Sequence, residues 1–194
     1  MSESPSLPSN PELVYYPAPV LREQCREVTQ FDDELRVFCD KMLEGMERWK
    51  GVGLAAPQVG VALRIFVTNH TGGGEDTTPD RRVWINPKIT LSGPSNDYEE
   101  GCLSIPGIYA KVERPSVAEV TWQDVTGLEH SARFDSMAGE FLAVVIQHEY
   151  DHLDGILFLD HVSPTHLALQ RRKLKDMEKA YRKEFGSAGT VLRR

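Results

Sequence analysis

The sequence predicts an α+β fold: mostly antiparallel sheets packed around a central metal-binding helix, with an N-terminal and a C-terminal helix. Three observations lead there. Apolar residues recur at helical spacing over 33–49. Short strand-like runs separated by turns fill the middle of the chain. Two helical stretches close it, the first carrying a pair of histidines.

With 194 residues, 40% of them hydrophobic, the chain suits one domain with its own core. We take 13–185 as that domain, between a disordered tail over 1–12 and a basic tail over 186–194. No apolar run approaches the ~20 residues of a membrane span. The opening stretch has no basic region followed by an apolar core, and it is acidic rather than Arg-rich. It therefore reads as neither a secretory signal nor a transit peptide. Cys25, Cys39 and Cys102 make no disulfide framework and fit reduced thiols in a cytoplasm.

The net charge of −7 argues against general nucleic-acid binding, and no specific DNA contact is expected. The charge is uneven. From Pro164 onward nine Lys and Arg stand against three acids, so that end carries +6 and the rest −13. A basic end on an acidic body points to an anionic partner.

Taken in order, 14–21 is punctuated by Pro17 and Pro19 and reads as extended. A helix over 33–49 starts at an aspartate N-cap and presents Leu35, Phe38, Met42, Met46 and Trp49 on one face. The run 51–60 is built of small residues around one amide, Gln58. Its glycines permit close backbone approach, although alone they read as a turn entering a strand. Strands are expected over 63–68, over 83–91 with a break at Asn86-Pro87, and over 109–112, 117–123 and 130–134, with a turn at 125–127. The segment 69–80 reads as a surface loop whose three glycines lack phosphate-loop spacing. Ser163 as N-cap and Pro164 at the first helical position open a last helix over 164–185 that stops at Gly186.

The central helix, over 141–155, carries the chemistry. His148 and His152 are four apart and share a face, with Glu149 beside them. Phe141, Val144 and Val145 continue that stripe, so the histidines extend a buried face. Gly155 ends the helix in the left-handed conformation. Two buried imidazoles without a partner would be costly, so a divalent metal with an adjacent base is the natural reading. A third ligand must come from elsewhere. The position that holds a third histidine in metzincin peptidases is Phe158, which cannot ligate. No acid lies over 165–174, where thermolysin-type enzymes place theirs. Cys102, His130, His161 and upstream acids remain, and Cys102, in a Gly-Cys turn, is the best of them.

Three blocks in this order, Gly51-Val52-Gly53-Leu54-Ala55-Ala56-Pro57-Gln58, Glu100-Gly101-Cys102-Leu103-Ser104 and Gln147-His148-Glu149-Tyr150-Asp151-His152, resemble the three motifs of the peptide deformylases. The likeness extends through Tyr16-Pro17, Leu21-Arg22, Ile85-Asn86-Pro87 and 157–160, covering roughly 13–185. It implies a cytoplasmic hydrolase of protein biosynthesis that removes the N-formyl group from the initiator methionine of new polypeptides, releasing formate. It implies Cys102, His148 and His152 as ligands of one divalent metal ion, Fe(II) by expectation and replaceable by Zn, Ni or Co. Glu149 would move the proton, while the Gln58 amide and the Leu103 backbone N–H would stabilise the oxyanion. Gly53 and Gly101 would take the peptide backbone, and Val52, Phe141, Val144 and Val145 would wall the methionine pocket. The expected partners are formyl-Met nascent peptides and, through the basic last helix, the ribosome. Departures are mild: Tyr150 between the ligands, a longer 69–80 loop, and His161 after Asp160. His70, His130 and His166 read as surface residues. Two other readings, an internal-bond metallopeptidase and a silent binding protein, lack a third ligand after the helix and a missing catalytic group, respectively.

Overall fold

The structure, a computed structural model, describes residues 7–70 and 79–186. Parts of three expectations lie outside these residues: 1–6 of the N-terminal tail, 71–78 of the loop, and 187–194 of the C-terminal tail. The first helix, α1 (Asp33–Arg48), starts where Asp32 accepts a hydrogen bond from the Leu35 N–H at 2.9 Å. Its buried face carries Leu35, Phe38, Met42 and Met46, as the spacing predicts. The strands β1 (Gly53–Ala55), β2 (Ile65–Asn69), β3 (Arg81–Cys102), β4 (Ile105–Gln123) and β5 (Glu129–Asp135) form one antiparallel sheet in sequential order. Two more helices follow, α2 (Leu142–Leu153) and α3 (Pro164–Phe185). The Ser163 side chain caps α3 and Gly186, at φ 79°, ends it.

The middle of the chain departs from the sequence reading. The strands expected at 83–91 and 109–112 are parts of two much longer ones, and 109–112 is continuous with 117–123 through Pro115. Prolines suggested breaks, but the ladder absorbs them at register shifts between Ile85 and Lys88 and between Ser92 and Ser95. Asn86 sits at φ 50°, and its amide closes hydrogen bonds to the Val28 N–H (2.8 Å), the Val28 carbonyl (2.9 Å) and Gln123 (2.8 Å). The stretch after Leu157 forms a short 3-10 helix, Phe158–His161.

Three apolar clusters hold these elements. The first packs α1 on β1 and β2. The second sets Leu142, Ala143, Val145, Ile146 and Leu153 of α2 against Phe66, Trp84, Val120 and Phe134. The third joins Tyr16 and Leu21 to Ile105, Val112, Phe158 and Leu174. Helix α2 is thus enclosed, and its two histidines stand beside Cys102 at the end of β3.

Candidate active site

Helix α2 ends where Gly155 turns left-handed at φ 66°. A Cβ there would stand 2.5 Å from the Arg22 carbonyl oxygen, so the chain can pass only as glycine. Arg22 forms a buried ion pair with Asp160 and donates to the Gly155 carbonyl at 3.2 Å. The N-terminal segment thereby locks the end of α2. One turn back, the rings of His148 and His152 lie 5.1 Å apart and nearly perpendicular, at 80°. Phe158 is buried and packs on His148, with centroids 6.0 Å apart, so it wedges the ligand rather than replacing one.

Cys102 reaches the same point from the sheet. It ends β3 opposite Ile105, across the two-residue turn Leu103-Ser104. Its Sγ lies 3.4 Å from His152 Nε2, and the donor atoms of Cys102, His148 and His152 all fall within 4.8 Å of one another. On a tetrahedral ion with bonds of about 2.0–2.3 Å, ligand atoms stand roughly 3.3–3.7 Å apart. The His152 Nδ1 and Glu149 Oε2 atoms are buried with no hydrogen-bond partner among the described residues. Burial pushes His152 down to about 3, which keeps it neutral and able to ligate. One thiolate and two imidazoles therefore fit a divalent transition metal.

Behind the donors runs a chain of charges. His148 Nδ1 donates to Glu100 at 2.8 Å, which leaves Nε2 for a metal. Arg114 grips Glu100 through both oxygens, at 2.7 and 3.0 Å, and reaches Asp151 at 2.7 Å. His161 donates to the same Asp151 oxygen at 2.8 Å. Burial alone would raise the Glu100 carboxyl, but the hydrogen bonds from His148 and Arg114 win and hold it at about 2. Burial would likewise lower His148, yet its bonds to Cys102 and Glu100 carry it well above its ordinary value. The Glu100 carboxylate is the charge that stands behind a cation bound there.

The remaining groups converge on a cavity of about 410 Å³. Gln58 is aimed by its own backbone: Oε1 accepts from the Ala55 N–H at 2.7 Å, so Nε2 donates toward Cys102 Sγ at 3.3 Å. Burial pushes Glu149 up to about 7, with Glu100 and Asp151 adding to the rise against the opposing charge of His148. Val52, Gly53, Gly101, Leu103, Phe141, Val144 and Val145 line the cavity with Gln58, Cys102, His148 and Glu149. His152 lies behind the wall, 1% exposed, and Phe141 stands at the mouth, 48% exposed. Of the other histidines, His166 is exposed while His70 and His130 are half-buried.

Sequence reasoning gave no role to Arg114 or Asp151, and quoted Glu100 only as part of a motif. Arg114 shares a strand face with Val112, Ser116 and Ala118, all buried, where an unpaired guanidinium would be intolerable, but 113–116 fall between two expected strands, so that face is visible only in the structure.

Comparison with known proteins agrees with this geometry. The family model described as polypeptide deformylase matches residues 11–168. A peptide deformylase of Bartonella tribocorum is 44% identical over 168 residues, 86% of this chain and 92% of that protein. The chloroplastic peptide deformylase 1B of Oryza sativa subsp. japonica is 42% identical over 177 residues, and the match spans 90% of this chain but 63% of that one. Among solved structures, the Arabidopsis thaliana peptide deformylase 1B bound to an inhibitor superposes with a TM-score of 0.84 at 37% identity, covering 92% of this chain and 96% of that one. The Plasmodium falciparum peptide deformylase gives 0.81 at 38% identity, covering 91% and 99%. The chain therefore belongs to the peptide deformylase family, metal-dependent hydrolases that remove the N-formyl group from nascent polypeptides.

Proposed function

We propose that residues 13–185 act as one catalytic domain in which Cys102, His148 and His152 hold the metal and Glu149 moves the proton. The observation that carries this reading is the convergence of one Sγ, two imidazoles, an aimed amide and an unpartnered carboxylate oxygen on one cavity. A divalent ion there supplies Lewis acidity, lowering the pKa of a water and polarising the formyl carbonyl. Glu149, with its carboxyl raised to about 7, accepts the water's proton and returns it to the leaving amine. The Gln58 Nε2–H and the Leu103 backbone N–H donate to the formyl oxygen as it becomes anionic. Gly53 and Gly101 pair with the extended peptide. The methionine side chain sits among Val52, Phe141, Val144 and Val145, where its thioether packs well.

Fe(II) is the native metal in this reading, with Zn, Ni or Co able to replace it, because a thiolate with two imidazoles serves all of these. Metal analysis of protein purified without oxygen, paired with formate release from formyl-Met peptides, tests the assignment. Stoichiometric metal that persists in a Cys102→Ala, His148→Ala double variant would overturn the ligand set.

Two finer readings follow from the surface. Arg171, Arg172, Lys173, Lys175, Lys179, Arg182 and Lys183 are all exposed on α3, a basic face suited to ribosomal RNA. Ribosome co-sedimentation should weaken with salt and on deletion of 164–194. Free Cys25, Cys39 and Cys102 suit the reducing cytoplasm, and no helix among the described residues is long and apolar enough to cross a membrane. Cell fractionation checks the compartment.

A further inference from the structure

Only two non-glycine residues among those described have positive φ, Lys50 at 60° and Asn86 at 50°. Asn86 earns its conformation through the hydrogen bonds described above. At Lys50 the backbone closes a helix cap, but the side chain takes no part in it. The residue follows the C-cap of α1, with its N–H on the Glu47 carbonyl and the Gly51 N–H on the Met46 carbonyl, both at 2.9 Å. That is the position at which helices favour glycine, because a Cβ is strained there. The Lys50 side chain makes no hydrogen bond or ion pair among the described residues, is exposed, and lines the mouth of the active-site cavity. The cap accounts for the backbone; what it leaves at the rim of the cavity is an exposed cation whose side chain has no partner among the described residues, and that points to a ligand of opposite charge.

The path of the substrate decides which part of it Lys50 meets. β1 pairs with β2 on one edge only, so its other edge is open to an extended peptide. Beyond Gly53 that edge closes: Leu54, Ala55 and Ala56 are fully buried and Gln58 nearly so. On the other side Val52 and Lys50 are exposed. A peptide with its formyl end at Cys102 and its methionine beside Gly53 must therefore leave past Val52 and Lys50, antiparallel to β1. At about 3.3 Å per residue, Lys50 lies beside the residues roughly two or three beyond the methionine. The other charge on the rim, Glu99, stands directly opposite Lys111 in the β3–β4 ladder and has a cation of its own at hand. Lys50 has no opposite charge set across a ladder from it.

We infer that Lys50 is a specificity residue, selecting nascent peptides with an acidic side chain two or three residues after the methionine over those with a basic one there. This rests on the proposed placement of the substrate along β1. The test compares kcat/KM for formyl-Met-Ala-Asp, formyl-Met-Ala-Lys and formyl-Met-Ala-Ala peptides, and the same series extended by one alanine. The full-length metal-loaded enzyme, Lys50→Gly and Lys50→Glu are assayed at low and high salt. The wild type should favour the acidic over the basic peptide by about two- to fivefold at low salt, the range of an exposed ion pair, and lose this preference as salt screens it. Lys50→Gly should bring the ratio to about one and raise the melting temperature by roughly 2–4 °C as the strain is relieved. Lys50→Glu should invert the ratio. An unchanged ratio in Lys50→Gly, or a lower melting temperature, would overturn the inference. No formate from any peptide with the wild type would instead overturn the reading on which it rests.

Discussion

Gly53 and Glu149 are in direct contact: a Cβ built on Gly53 would overlap the Glu149 carboxylate, its nearest oxygen and Cγ included. Glu149 is 4% exposed and borders the cavity, so a Cβ on Gly53 would push its carboxylate out of place. The glycine therefore defines where the carboxylate sits. Gly53→Ala should lower kcat/KM by about 10²-fold, the scale of a displacement near 1 Å. Steady-state formate release checks it, and metal content should not change, because none of the three donors moves.

Glu149→Ala removes the proton carrier alone. Turnover should fall by about 10²–10⁴-fold, the usual worth of a positioned acid–base group. The metal should remain bound, and elemental analysis beside the rate assay separates the two effects. A variant keeping wild-type turnover would show that the proton travels another way.

Gln58→Ala deletes one donor to the developing oxyanion. We expect kcat to drop by about 10²–10³-fold. KM should change little, since the donor acts mainly on charge that appears in the transition state. A change confined to KM would instead make Gln58 a substrate-binding group.

Arg114→Ala strands the buried Glu100 and the half-buried Asp151 without their shared cation. Breaking a buried pair this way costs about 3–5 kcal/mol. Urea denaturation of the metal-loaded protein should show it. Metal affinity should fall about 10- to 100-fold as Glu100, which orients His148, loses its anchor. Arg114→Lys should recover only part of either, because an ammonium cannot hold both Glu100 oxygens and Asp151 in a planar fork.

Alkaline pH should destabilise the protein through its buried thiols. Burial pushes Cys39 up to about 12, and the side chain has no exposed surface. An unfolded chain ionises this thiol near its ordinary value while the folded one holds the proton. Its contribution is thus complete below about pH 8.5 and is lost as pH rises toward 12. Chemical denaturation at pH 8 and pH 10 should show a drop that is smaller in Cys39→Ala, whatever constant penalty the cavity adds. An equal drop in both proteins would assign the alkaline loss elsewhere, Cys25 being the next candidate.

The helices and much of the site were legible in the chain because their signals are local. The cap at Asp32, the Ser163-Pro164 start and the Gly155 and Gly186 stops each act within a turn of their own residue. Phe158 is a clear signal too, since a phenyl ring where a ligand is needed points upstream to Cys102. The strand lengths were not legible. Pro87 and Pro115 look like breaks until the partner strand supplies a register shift to absorb them. The charge chain behind His148 was hidden for a related reason. Glu100, Arg114 and Asp151 lie 14 and 37 residues apart, and only the β3–β4 pairing and the seat of α2 bring them together.

The two-residue turn at Leu103-Ser104 sets a limit on how this enzyme can diversify. A metal donor and an oxyanion donor are assigned to consecutive residues, Cys102 and Leu103, on a hairpin tip with no slack. One inserted residue there would move both at once, so neither can be tuned while the other stays fixed. Lineages of this chain have little freedom to lengthen that tip. Variation in loop length is left to the other connections of the chain.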